Sequence, residues 1–195
     1  MFNWLRKVES LPWKDRTYLV IDMELTGLEP QEDAIISAGS VMIKQGRIIL
    51  DSAEHHYFSP VSLMGVDVTQ SAHIHLITDN QLEVHGKPLA DWLARLSQDL
   101  MANAWVFHHA QLDSMFLKTF SERLQIALPS IEVIDTLANE KRLHPEAYLE
   151  SQAQLNLGAC RARYGLPAYR QHHALSDALA TAELFLAQQS LAGSC

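Results

Sequence analysis

Two carboxylates, Asp22 and Glu24, close the apolar run in LVIDMELTGLEP (Leu19–Pro30). Residues two apart on a strand point to the same face, so the pair stands side by side at the end of a buried segment, each raising the cost of ionising the other. Two more acids occupy positions meant for apolar residues. The stripe His109, Asp113, Phe116, Leu117, Phe120, Leu124 has the 3–4 spacing of a helix face, with Asp113 inside it. Ala174, Asp177, Thr181, Leu184 and Phe185 repeat the anomaly in the last helical stretch. An unpaired buried carboxylate costs several kcal/mol unless something neutralises it. An ion pair or a helix cap could account for any one of these acids. All four call for a shared explanation, which is convergence on cations.

Oxygen-only ligands suit hard ions such as Mg²⁺ or Mn²⁺. Two such ions roughly 3.5–4 Å apart form the known device for in-line displacement at phosphorus, with Asp22 placed to bridge them. Attack by water also benefits from a base whose pKa lies near neutrality, and histidine's ordinary value of about 6.5 meets that need. His172 lies just ahead of the last helix, where a loop can lean it over the acids. His173 is the rival candidate.

These side chains need elements to hold them. Residues 1–16 read as a short helical extension whose Trp and Leu residues pack on a domain spanning 17–190, with 191–195 as a short tail. A strand starts at Thr17. Two more, Ala34–Lys44 and Arg47–Ser59, are joined by a tight Gln45-Gly46 turn, which signals a hairpin. Pro88–Leu100 has helical spacing with Pro at its start. AWVFHH is a short buried strand, AQLDSMFLKTFSERL a helix, and SIEVIDTL a strand running into another helix. Gln152–Arg163 and Ala174–Gln189 are two further helices, separated by the loop YGLPAYRQHH. Three antiparallel strands followed by strand–helix alternation predict an α/β fold: a mixed five-stranded sheet flanked by helices.

Bulk properties narrow the class. The 195 residues suffice for one well-buried domain. Apolar residues at 48% and charged residues at 19% are globular rather than disordered proportions. No apolar run approaches the length of a membrane span, and the first sixteen residues lack the apolar core of a signal peptide. Cys160 and Cys195 have neither metal-site nor disulfide-framework spacing, in keeping with a reduced, cytoplasmic setting. The net charge of −8 argues against a tight, non-specific grip on phosphates. It is compatible with an enzyme that meets phosphate through divalent cations. No Walker loop, GxGxxG or nucleophile elbow is present.

DMELTG (Asp22–Gly27), HHAQLD (His108–Asp113) and HHALSD (His172–Asp177) resemble, in order, the three motifs of the DEDDh 3′–5′ exonucleases. The nearest group surrounds the proofreading epsilon subunit of bacterial replicative DNA polymerase. The resemblance spans about Thr17 to Gln189. It implies a ribonuclease-H-like fold, with Asp22, Glu24, Asp113 and Asp177 as metal ligands (Asp113 through water) and His172 as general base. The family's spacing of base to acid selects His172 over His173. No tyrosine stands beside the third-motif acid in sequence, so the His form applies. IHLIT (Ile74–Thr78) resembles the family's HGIT segment, where His75 would contact the terminal nucleotide. Met23, Leu25 and Thr26 would line the substrate's path. Departures from the pattern are Leu25, Ser37, Leu76, His109 and Leu112. Nothing beyond SLAGSC follows the last helix, so a polymerase-tethering tail is not expected here.

The expected function is therefore a metal-dependent 3′–5′ exonuclease. It would use two Mg²⁺ or Mn²⁺ ions to release nucleoside 5′-monophosphates from single-stranded DNA, with a polymerase or other protein as possible partner and no membrane association. The alternatives are an RNA or short-oligonucleotide exonuclease, and a polymerase accessory subunit that only docks. Four close histidine pairs also admit a transition-metal protein, which would need metal at stoichiometric amounts. His55 and His56 read as surface or packing residues.

Overall fold

The computed structural model describes residues 11–59, 77–98, 101–146 and 152–192. Its centre is a five-stranded sheet in the order β3-β2-β1-β4-β5. The strands are β1 (Thr17–Leu25), β2 (Ile35–Lys44), β3 (Arg47–Tyr57), β4 (Ala104–Phe107) and β5 (Glu132–Asp135). β1, β2 and β3 pair antiparallel, while β4 and β5 add in parallel. The β2–β3 hairpin turns on Gln45 and Gly46, both at positive φ (52° and 67°). That is the requirement of a two-residue hairpin turn whose twist matches its strands.

Six helices accompany the sheet among the described residues: α1 (Asp79–His85), α2 (Leu89–Gln98), α3 (Ala110–Arg123), α4 (Thr136–Leu143), α5 (Leu157–Arg163) and α6 (Ala174–Ala192). Strand alternation sorts the apolar residues into two cores. Leu19, Ile21 and Met23 of β1 join α2 and α3 through Trp92, Phe116 and Phe120. Tyr18 and Val20, on the opposite face, pack with Val41, Val106 and Phe185 beneath α6. Burying a Phe such as Phe116 or Phe185 contributes about 1.5–3 kcal/mol. Asp22 and Glu24 continue the row begun by Tyr18 and Val20, which aims them at α6.

The structure corrects several expectations. The helical extension expected over residues 1–16 is not among them, because its residues 1–10 lie outside the described residues; Trp13–Asp15 forms a 3₁₀ turn. Gln152–Arg163 is not one helix. A 3₁₀ turn at Gln152–Leu155 ends at Asn156, whose side chain caps α5 by accepting from the Ala159 N–H. An Asn that bonds its local backbone favours this break over continuation. Helix α1 is an addition to the expected elements, and Thr78 and Gln81 form a complete capping box at its start. His109 is not part of the apolar stripe: it sits at the N-cap of α3 in the left-handed region (φ 73°).

α4, α5 and α6 are tied by one buried acid. Glu140 is fully buried and accepts from Arg163 Nε (2.7 Å), Tyr164 Oη (2.9 Å) and Gln188 Nε2 (2.8 Å). A paired and hydrogen-bonded carboxylate of this kind is costly to break, which fixes α6 relative to its neighbours.

Candidate active site

β1 delivers Asp22 and Glu24 at its C-terminal end, opposite Gly39 and Ser37 of β2. Gly39 is required there. A Cβ on it would lie 2.2 Å from the Leu175 nitrogen and 2.3 Å from the Ala174 carbonyl carbon. The missing side chain lets the first turn of α6 descend onto the sheet and set Asp177 beside the two acids. One carboxylate oxygen from each of Asp22, Glu24 and Asp177 falls within 4.8 Å of the others. Asp113 is outside this tight group because α3 packs on the opposite face of the sheet. It is nonetheless buried on the first turn of α3, and its charge reaches Asp22.

Electrostatics reflect the crowding. Asp22 is pushed well above the usual carboxylate range, first by burial and then by Asp113, Asp177 and Glu24. Burial, followed by Asp177, lifts Glu24 to about 7. Asp113 rises to about 8, chiefly through burial, with Asp135 and Glu24 adding to it against its own backbone hydrogen bond. Asp177 is raised by burial against hydrogen bonds from Tyr169 and from the His173 and His172 backbone. Among the described residues no Lys or Arg pairs with any of the four. An all-oxygen donor set with no protein cation to neutralise it fits hard divalent ions.

These shifts set a pH dependence. Folded carboxyls held above their unfolded values bind more protons in the native state. Their contribution to stability is complete below about pH 4 and lost as pH rises through 7–8. In EDTA, the melting temperature of wild type relative to Asp22→Asn should therefore fall steadily between pH 5 and 8. Scanning fluorimetry across that range checks it, and a constant difference would contradict the raised carboxyls.

The two histidines of the third motif separate clearly. His173 caps α6: its Nδ1 lies 3.4 Å from the Ser176 N–H, and its ring stacks on His55 with centroids 4.5 Å apart. His172 is exposed, stands at φ 59°, and lines a cleft of about 240 Å³ with Asp22, Glu24 and Asp177. The left-handed backbone, which histidine tolerates better than most residues, turns its side chain toward the acids' cleft while its neighbour remains in the helix cap. His55 is a packing residue, as expected, and burial takes it down to about 4. His56 pairs with Glu54 at 3.0 Å.

The expected substrate residues fare unevenly. Met23 lines the cleft. Leu25 packs against the α2–α3 core. Thr26 is occupied in closing its own loop, donating to Asp33 Oδ1 (3.0 Å) and accepting from the Ala34 N–H (2.9 Å). His75 lies outside the described residues.

Three contributors are not evident from sequence patterns. Asp135, at the end of β5, accepts from the His109 and Leu137 N–H groups, both at 2.9 Å, and so anchors the starts of α3 and α4. An acid directly before a helical run is the available signal. His108 forms part of the cleft wall, donating from Nε2 to the Leu155 carbonyl (3.1 Å), with Nδ1 2.9 Å from Thr136 Oγ1. Tyr169, from the α5–α6 loop, lines the same cleft as Asp177 and lies under the Arg161 guanidinium, 4.9 Å from its ring centroid.

A mixed sheet carrying three clustered acids at the end of its central strand and the start of its last helix defines a ribonuclease-H-like nuclease architecture. The RNase T exonuclease family model matches residues 19–185, and the chain belongs to that family, whose members are 3′–5′ exonuclease hydrolases. The PolC-type DNA polymerase III of Staphylococcus aureus is 30% identical over 180 residues. That match covers 92% of this chain but only 12% of the polymerase, so the chain spans a small fraction of its relative's length. Similar solved structures include Escherichia coli exonuclease I in complex with a dA16 oligonucleotide (TM-score 0.68, 17% identity, covering 90% of this chain and 41% of that one). Cell-death related nuclease 4 gives a TM-score of 0.72 at 18% identity, covering 90% and 64%. No helix among the described residues is long and apolar enough to cross a membrane.

Proposed function

We propose that this chain hydrolyses single-stranded DNA from the 3′ end, releasing nucleoside 5′-monophosphates in a reaction that needs two divalent cations. The observation that carries this reading is the cluster of Asp22, Glu24 and Asp177 oxygens within 4.8 Å of one another, unpaired with any protein cation among the described residues. When bound, Mg²⁺ or Mn²⁺ would supply Lewis acidity at the phosphate and lower the cost of using water as nucleophile. Asp22, Glu24 and Asp177 are the residues that would hold the ions, with Asp113 completing the set through water. His172, exposed at the mouth of the same cleft, takes the proton from the attacking water.

Two features favour a short, local grip on the strand end. The chain is acidic overall, at −8. The cleft is small, about 240 Å³. The exonuclease I complex was solved with a single-stranded DNA oligonucleotide, which favours DNA over RNA. The PolC-type relative suggests a polymerase as partner, in a proofreading role.

The test is a time course with 3′- and 5′-labelled single-stranded DNA, RNA and duplex ends in Mg²⁺ or Mn²⁺. The 3′ label should leave first as mononucleotide, fastest from single-stranded DNA, and EDTA should stop it. Faster digestion of RNA would replace the DNA reading with an RNA or oligonucleotide exonuclease.

A further inference from the structure

β5 is the outer strand of the sheet on the side away from the hairpin. It pairs with β4 along one edge, and no backbone hydrogen bond from another described segment reaches its other edge. Such edges are usually guarded by charges, prolines or bulges. Here the two charges on the strand are engaged in the fold itself. Glu132 pairs with Arg16, and Asp135 accepts the His109 and Leu137 N–H groups, both at 2.9 Å. Between them, Val133 stands 46% exposed.

A cavity opens on each face of this edge, and Val133 borders both. The α3-side cavity measures about 540 Å³, and Leu117, Ile126, Leu128 and Ile131 make its wall largely apolar. The α6-side cavity measures about 420 Å³ and is mixed, with Trp13 and Phe185 beside the amides of Asn139 and Gln189. Arg16 also lines it. That side chain is only 9% exposed, and its Nε–H has no acceptor among the described residues. A buried donor left without an acceptor is costly and uncommon in a finished fold.

We propose that the free edge of β5 is a docking surface for an extended segment of a partner protein, which joins the sheet as an added strand. The geometry fixes the chemistry of that segment. Successive side chains of a strand point to opposite faces, so one set enters the α3-side cavity and the other the α6-side cavity. The first set is apolar. The second is polar and uncharged, because the charges of the α6-side cavity are already engaged while the Arg16 Nε–H still lacks an acceptor. Main-chain bonds to β5 supply affinity, and the alternation supplies specificity. No residue lining either cavity lines the catalytic cleft, so this surface stands whether or not the acids hold metal.

The test titrates the ¹⁵N-labelled full chain with the peptide acetyl-Val-Thr-Val-Thr-Val-Thr-amide, using a block-ordered Val-Val-Val-Thr-Thr-Thr peptide as control. The alternating peptide should shift the amide signals of β5 and both cavity walls, and slow hydrogen exchange at the outward-facing β5 amides. Val133→Glu, at an exposed position, should keep the wild-type melting curve and bind the peptide roughly 10–100-fold more weakly. Equal binding of the block-ordered peptide, shifts that fall outside β5 and its cavities, or no binding at millimolar peptide would overturn the proposal. So would a wild-type dimer in sedimentation that Val133→Glu dissolves, since a second copy would then cover the edge. Slow exchange at all four β5 amides of the free monomer would overturn it too, because the chain would then cover its own edge.

Discussion

Replacing Asp177 or Asp22 by alanine should abolish hydrolysis and leave a folded protein that melts higher than wild type in EDTA. The two halves have one cause. Asp22 is held above its ordinary range by burial and by three neighbouring acids, so without metal it is a source of strain. Removing it ends the cost of burying a carboxyl beside Asp113, Asp177 and Glu24, and the metal-free fold gains. The same substitution takes a ligand from the group of oxygens within 4.8 Å. If the cations supply several kcal/mol at the transition state, a loss of about 4 kcal/mol already lowers the rate by roughly 10³. Paired measurements of rate in Mg²⁺ and melting temperature in EDTA check both halves. A variant that keeps activity would remove the metal site from the account. One that loses activity by melting lower would show the acid to be structural.

The second large effect is expected at His172. His172→Ala should slow hydrolysis by roughly 10²–10⁴, the usual contribution of a placed acid–base group, with metal affinity retained. His173→Ala should behave in the opposite way. Its ring caps α6 and stacks on His55. Losing a cap costs about 0.5–2 kcal/mol of stability, so this variant should melt lower yet turn over at a rate near wild type once folded. Single-turnover rates and melting curves on both variants decide the matter. A reversal of the two phenotypes would assign the base to His173.

The parts of the site legible in the sequence are those that break a pattern. Asp113 and Asp177 each interrupt an apolar helical stripe, and both are buried where the stripe places them. Asp22 and Glu24 follow the two-residue period of β1, so their shared face can be read from spacing alone. Contacts made between elements leave no such mark. Tyr169 lies in an aperiodic loop, and only the fold brings it to the wall of the cleft that Asp177 lines. Asp135 resembles an ordinary strand-end residue until the His109 backbone is seen on its carboxylate. Helix α1 is only seven residues long, too short for periodicity to reveal, although its capping box is visible. Gly39 carries no chemistry, and only the closeness of α6 shows why no side chain fits there.

The central claim is that the clustered carboxylates of Asp22, Glu24 and Asp177, with Asp113 nearby, hold the cations that direct water onto the terminal 3′ phosphodiester bond. Mass analysis of the products formed from a single-stranded DNA oligonucleotide in ¹⁸O-labelled water, with Mg²⁺ present, tests it most directly. The account predicts nucleoside 5′-monophosphates that carry one ¹⁸O on phosphorus, accumulating as the strand shortens from its 3′ end, and no product in EDTA. Nucleoside 3′-monophosphates, unlabelled phosphate groups or shortening from the 5′ end would contradict it.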